Sequence, residues 1–195
     1  MQGMTEPTDL PVRAFADQAA LEAWLEANGD TAPGLYVRIA KKGSGVPSVD
    51  WEQLVEVLLC FGWIDGRANR LDDTAYLQRI TPRRPRSVWS LKNVQTVARL
   101  TEEDRMRPAG LAAVAAAQAD GRWDRAYPGP ATITVPDGLA AALDAAPAAR
   151  AAFDGLRGVD RYAALWRVHT AATPATRAKR IAALVQTLTT SGGAS

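Results

Sequence analysis

Between Ser48 and Gly66 the chain changes its hydrophobic period within a few residues. Trp51, Leu54, Val55, Leu58 and Leu59 recur at i, i+3, i+4, i+7 and i+8. Residues Val49 to Cys60 therefore read as a helix with one face that must be buried, and Ser48 is placed to cap it. Gly62 stops that helix. Trp63-Ile64-Asp65 begins an extended segment, Gly66 and Asn69 allow turns, and TAYLQRI, Thr74 to Ile80, alternates as a second strand. A buried helix that runs straight into paired strands needs a sheet to lie on, which restricts this region to an α+β arrangement.

The flanking sequence extends the pattern. Residues 1 to about 12 are polar and read as a loose lead-in. Asp17 can cap a helix to Asn28 with Ala20, Leu21, Trp24 and Leu25 on one face, and LYVRIA, Leu35 to Ala40, reads as a strand. Pro82 and Pro85 keep TPRRPRS extended, after which Ser87 or Ser90 caps a helix to about Leu100. Pro108 opens an Ala-rich helix to Ala119. YPGPATITVP then carries three prolines and no charge, and reads as a connector. Three helical patterns follow: one starting at Leu139 to Leu143, one over Arg161 to Ala171, and one opened by Thr173-Pro174 with Ile181, Leu184, Val185 and Leu188 as its apolar stripe. The tail GGAS ends the chain. The expectation is an α+β fold, a small antiparallel sheet with flanking helices in the N-terminal two-thirds and an all-α C-terminal part. The regions expected are 1–126 (α+β core), 127–136 (connector) and 137–195 (helical, packed on the core).

Composition narrows the chemistry. Of 195 residues 47% are apolar, enough for a core, and the net charge of +2 gives no global signature for nucleic acid. Charge is uneven, however: from Arg67 to Arg107 there are ten Lys or Arg against five Asp or Glu. Cys60 is the only cysteine and His169 the only histidine, so an intramolecular disulfide is excluded and neither a Cys/His metal site nor a resident cofactor is expected. The first residues lack a basic region followed by an apolar one, and no run of about 18 apolar residues occurs. A cytoplasmic protein without a membrane span is expected.

Two stretches concentrate unusual residues. FGWIDG, Phe61 to Gly66, places Trp63 and Asp65 between glycines that let other chain segments approach closely. TPRRPRSVWSLKN, Thr81 to Asn93, sets Arg83, Arg84, Ser87, Trp89, Ser90 and Asn93 around a helix start, where guanidinium forks, hydroxyls and free backbone N–H groups can hold an anion. Together with Arg67 these form the candidate ligand set: Trp63 and Trp89 stacking, Arg83 and Arg84 on an anionic group, Asp65 orienting them or binding a donor. The competing reading makes Trp63 a packing residue, Asp65 a turn former, the serines caps, and the arginines partners of Asp65, Asp72 or Asp73. His169 lies on the face of Tyr162, Leu165 and Trp166, which suits packing rather than a catalytic base, and Cys60 ends a buried helix.

LCFGWIDG, TPRRPRSVWSLKN and PATRAKRI (Pro174 to Ile181) resemble the signature of the YdeI/OmpD-associated, or bacteriocin-protection, family, and GLYVRIAKKGSGVPSVDWEQLVEVL is similar to the segment before the first of them. The resemblance spans about residue 13 to residue 188. It implies a role in resistance to antimicrobial peptides or related stress. The function expected is binding of a small anionic or aromatic ligand. Two alternatives stand beside it: an enzyme acting on a toxic small molecule with Asp65 as general acid or base, and a nucleic-acid binder using the basic middle and the last helix, which no recognised nucleic-acid motif favours.

Overall fold

A computed structural model describes residues 9–192; most of the polar lead-in and the last three residues lie outside them. The fold is α+β, with a four-stranded sheet and eight helices among the described residues. The chain divides into two compact units, one holding the residues up to Ser87 together with Gln95–Asp120, the other Val88–Val94 together with the residues from Gly121 onward.

The first unit contains β1 (Val12–Ala14), α1 (Gln18–Asn28), β2 (Leu35–Ala40), α2 (Trp51–Cys60), β3 (Trp63–Arg70) and β4 (Ala75–Pro82). It also takes the end of α3 (Leu91–Glu102) and all of α4 (Pro108–Ala119). Sheet order is β1-β2-β4-β3. β2 to β4 and β4 to β3 are antiparallel, but β1 pairs parallel with β2, Val12 opposite Tyr36. That strand begins where the expected lead-in ends: three residues show too little alternation to signal a strand. Leu35, Val37 and Ile39 are buried opposite Ile80, Gln78 and Tyr76. Leu21 and Leu25 of α1 and Leu54, Val57, Leu58 and Leu59 of α2 complete the core with them. Each such side chain contributes about 1.5–3 kcal/mol on burial.

Two local expectations are corrected. Asp50, not Ser48, caps α2: its carboxylate accepts the Gln53 N–H at 2.9 Å while the Gln53 side chain accepts the Asp50 N–H at 3.1 Å, a reciprocal pair closed to Ser48, whose third residue on is Trp51 with no acceptor side chain. Ser48 Oγ instead accepts the Ala40 N–H at 3.0 Å and tethers the loop to β2. The buried face of α2 is also rotated from the one expected, with Trp51 39% exposed and Val57 fully buried beside Leu54 and Leu58.

The hairpin differs too. β3 runs through Gly66 and Asn69 with a bulge between Asp65 and Ala68. The turn comes later, where Asp72 Oδ1 accepts the Thr74 N–H at 2.6 Å, the Thr74 hydroxyl at 2.7 Å and the Ala75 N–H at 2.8 Å. Those bonds, the Thr74 hydroxyl first, hold the Asp72 carboxyl below its ordinary range. The bulge explains Gln78, a buried polar residue of the sheet: its amide donates to Gly66 O at 2.7 Å, occupying a carbonyl that the irregular register takes out of the ladder.

The second unit is helical. Its Val88–Val94 segment is laced to the residues after Gly121. Tyr127 N–H donates to Trp89 O at 3.0 Å, and Leu91 N–H to Tyr127 O at 2.9 Å. The Trp89 and Trp123 rings meet edge to face at 4.9 Å. Helices α5 (Asp137–Asp144), α6 (Pro147–Gly155), α7 (Gly158–His169) and α8 (Pro174–Gly192) follow, with α8 packing on the other three. Leu139, Leu143, Ala149, Phe153, Leu165, Val168 and Leu188 form their core. α6 is an element the sequence pattern does not announce, since Ala149 and Phe153 are its only buried residues. Thr173 caps α8 as expected, accepting the Thr176 N–H at 3.1 Å.

Candidate functional site

FGWIDG is built by close packing. Gly62 has φ +72°, and a β-carbon there would lie 2.7 Å from Ala109 O. Gly110 of α4 is tighter still: a β-carbon would lie 2.2 Å from Cys60 O. Arg107 N–H donates to that same Cys60 carbonyl at 3.0 Å, so the start of α4 seals the end of α2. Trp63 is buried, edge to face with Trp24 at 6.0 Å, and its indole N–H donates to Gly29 O at 3.3 Å at the end of α1. The ring is an anchor between helix and sheet rather than an open stacking surface.

The remaining expected residues are placed as follows. Asp65, partly buried, shares the sheet face of Trp63 and Ile80, and its Oδ2 accepts the Trp51 indole N–H at 3.4 Å. Arg67 is exposed at the bulge. Arg83 follows β4, its N–H on Gly62 O at 3.0 Å. Arg84 is exposed and its backbone turns back through Ser87, whose Oγ accepts the Arg84 N–H at 3.0 Å. Trp89, Ser90 and Asn93 belong to the second unit. Trp89 is buried against Trp123. Ser90 Oγ accepts the Asn93 N–H at 3.1 Å and caps α3. Both tryptophans are therefore placed as packing residues and both serine hydroxyls accept backbone N–H groups.

The basic middle of the chain is largely compensated inside the first unit. Arg105 meets Glu56 at 3.0 Å, Glu22 at 3.4 Å and Glu103 at 3.5 Å. Arg99 meets Glu103 at 2.8 Å and also pairs with Glu56. Arg107 meets Glu26 at 3.5 Å. Burial works against the charge of Arg105, yet its bond to Glu56 and the surrounding negative charge leave its pKa raised. The Arg99 hydrogen bond keeps Glu103 ionised below its ordinary range. Cys60, beside this cluster, is pushed by burial from 9.0 to about 11, which makes it an inert thiol at neutral pH. His169 Nε2 lies 2.9 Å from Thr134 O and is held by the backbone. Among the described residues no three His, Cys, Asp or Glu side chains gather as metal ligands, and no helix is long and apolar enough to cross a membrane.

Among the hollows of the second unit are two that no sequence signal marks. One, about 440 Å³, opens at the start of α7 and is walled by Pro130, Ile133, Gly158, Val159, Arg161, Tyr162 and Leu165. Its polar edge is small. Tyr162 Oη reaches Pro128 O at 3.5 Å, and Arg161 lies 4.4 Å over the Phe153 ring. Val159, 80% exposed, stands in its mouth. The other, about 260 Å³, lies between α7 and α8 and is lined by Arg167, Lys179 and Arg180 with Thr176 and Thr187. The first could be found only from tertiary structure, because Ile133 and Val159 come together from a connector and a helix start.

Comparison with known proteins bears on both units. Residues 13–113 match the family model described as Domain of unknown function (DUF8412). Residues 132–190 match the model described as Bacteriocin-protection, YdeI or OmpD-Associated. No curated protein and no solved structure gives a match. LCFGWIDG and TPRRPRSVWSLKN fall within the first range and PATRAKRI within the second, so the bacteriocin-protection match reaches less of the chain than the sequence resemblance does. Through residues 13–113, just over half of its length, the chain belongs to the family described as Domain of unknown function (DUF8412), and its residues 132–190 are similar to the bacteriocin-protection, YdeI or OmpD-associated model.

Proposed function

We propose that the protein binds a small, largely apolar molecule in the hollow at the start of α7 and that this binding serves resistance to antimicrobial peptides or toxic compounds. The observation that carries the reading is the hollow itself. Its volume of about 440 Å³ suits a drug-sized ligand, and its walls are apolar except for Arg161 and Tyr162, the usual make-up of a small-molecule site. All but Pro130 of its lining falls within the stretch matched by the bacteriocin-protection model, whose description motivates the resistance role. In the first unit the proposed polar site narrows to Asp65, with Trp51 on it, and the exposed Arg67 and Arg84. The nucleic-acid reading is weakened by the carboxylates on Arg99, Arg105 and Arg107. A cytoplasmic location is part of the proposal, supported by a chain with a single cysteine and hence no intramolecular disulfide, and cell fractionation checks it.

The test is a thermal-shift screen of the full chain against aromatic metabolites, antibiotics and cationic peptides. One compound class is expected to give a saturable rise in Tm. Val159→Trp, which fills the mouth from an exposed position, is expected to remove that rise while leaving the melting of the unliganded protein unchanged. A response that persists in Val159→Trp, or silence across the aromatic and antibiotic sets, overturns the reading.

A further inference from the structure

The groove between α7 and α8 is a separate place with different chemistry. Arg167 of α7 and Lys179 and Arg180 of α8 line a cavity of about 260 Å³. Helix α8 carries no acidic residue, and the one acid of α7, Asp160, lies two turns before Arg167, roughly 10 Å along the axis. Among the described residues neither Arg167 nor Lys179 meets a carboxylate, in contrast with the paired arginines of the first unit. Arg180 is fixed without a counter-ion: its Nη1 donates to Arg167 O at 2.6 Å and to Thr170 Oγ1 at 3.1 Å. That grip holds the guanidinium across the gap and leaves its other N–H groups for something else.

Thr176 adds a directed hydroxyl. Its Oγ1 accepts the Thr173 hydroxyl at 2.9 Å, and Thr173 Oγ1 in turn accepts the Thr176 N–H at 3.1 Å. The Thr176 hydroxyl lines the same cavity and, when it accepts from Thr173, has its own proton to donate there. Arg167, Lys179, Arg180 and Thr176 line one space with apolar walls at Ala164, Val168 and Leu184 and no carboxylate in its lining. Bringing like charges together in this way costs free energy unless an anion joins them.

We propose that this groove binds a phosphoryl group. A multiply charged oxyanion with several acceptor oxygens uses all three cations and the Thr176 donor at once, which a single carboxylate does not. The inference is independent of the apolar hollow, and either can fail without the other.

The probe is inorganic pyrophosphate, titrated calorimetrically into the full chain at low salt. Saturable binding is expected, weakened about tenfold by Arg167→Ala or Lys179→Ala and lost in the double variant. Arg177→Ala, one residue outside the groove lining, is expected to leave it unchanged. Circular dichroism melts establish that the variants remain folded, and Lys179 is exposed enough that its loss leaves the fold intact. Vesicles of phosphatidylcholine with and without phosphatidic acid separate the two sources of a phosphoryl group. Binding to free pyrophosphate supports a soluble ligand. Co-sedimentation with phosphatidic acid alone, lost in the double variant, supports the same site serving a lipid headgroup. Absence of both, or binding that the double variant retains, overturns the proposal.

Discussion

Cys60 shows how much a single position is governed by what surrounds it. The residue closes α2 with its thiol buried, and Arg107 and Gly110 crowd its carbonyl. Burial raises its pKa from 9.0 to about 11. A folded-state value above the unfolded one means that the thiol contributes no penalty below about pH 9. Stability then falls as pH rises through the window from 9 to 11, by about 2–3 kcal/mol if the full difference is realised. Urea midpoints measured at pH 8 and pH 10.5 are expected to differ in that direction, and Cys60→Ala is expected to flatten the part of the slope that belongs to the thiol. Alkylation by iodoacetamide at pH 8 should proceed only as fast as the protein opens. The sequence makes this residue readable, because a cysteine at the end of an apolar stripe belongs inside. It does not reveal the Glu22–Arg105–Glu56 cluster nearby, whose members are separated by more than thirty residues.

At the level of elements, α2, β3 and α4 explain why FGWIDG has the composition it has. Two glycines on different segments are required, Gly62 for its left-handed backbone and Gly110 because Cys60 O occupies the place of a side chain. Gly110→Ala is expected to cost about 1–3 kcal/mol or more, since the clash is with backbone and has no flexible end to yield. A chemical denaturation midpoint reads it directly. Glu56→Ala should act on two helices and the loop after them at once, because Glu56 on α2 takes both Arg99 of α3 and Arg105 beyond it. Its cost is expected near 1–2 kcal/mol at low salt and less at 1 M NaCl, because the pairs are only partly buried. β2, α1 and α4 were legible from alternation, an Asp cap and a Pro start. β1 and α6 were not: a three-residue edge strand and a helix with two buried positions carry too few periodic residues to stand out. The site was the least legible part. Trp63 and Trp89 look like ligand platforms in sequence, and only tertiary structure assigns them to Trp24 and Trp123.

On the scale of the whole molecule, each unit has its own set of buried residues, and the buried cluster of the second comes from α5 to α8, with Ile133 and Val135 of the connector packed against it. A fragment ending at Asp120 contains every residue of the first unit. It is expected to unfold cooperatively in urea when followed by far-UV circular dichroism; a non-cooperative profile would show that the first unit depends on the residues beyond. The segment Val88–Val94 has a different history from the rest of its unit. During synthesis it leaves the ribosome ahead of residues 95–120, while Trp123 and Tyr127, on which it closes, emerge only later. At about 5–20 residues per second that delay is on the order of seconds, long enough for the earlier strands and helices to settle. Throughout it Trp89 lacks its Trp123 partner, and slower translation across residues 95–127 is expected to lengthen that interval and raise the share of nascent chain that chaperones capture.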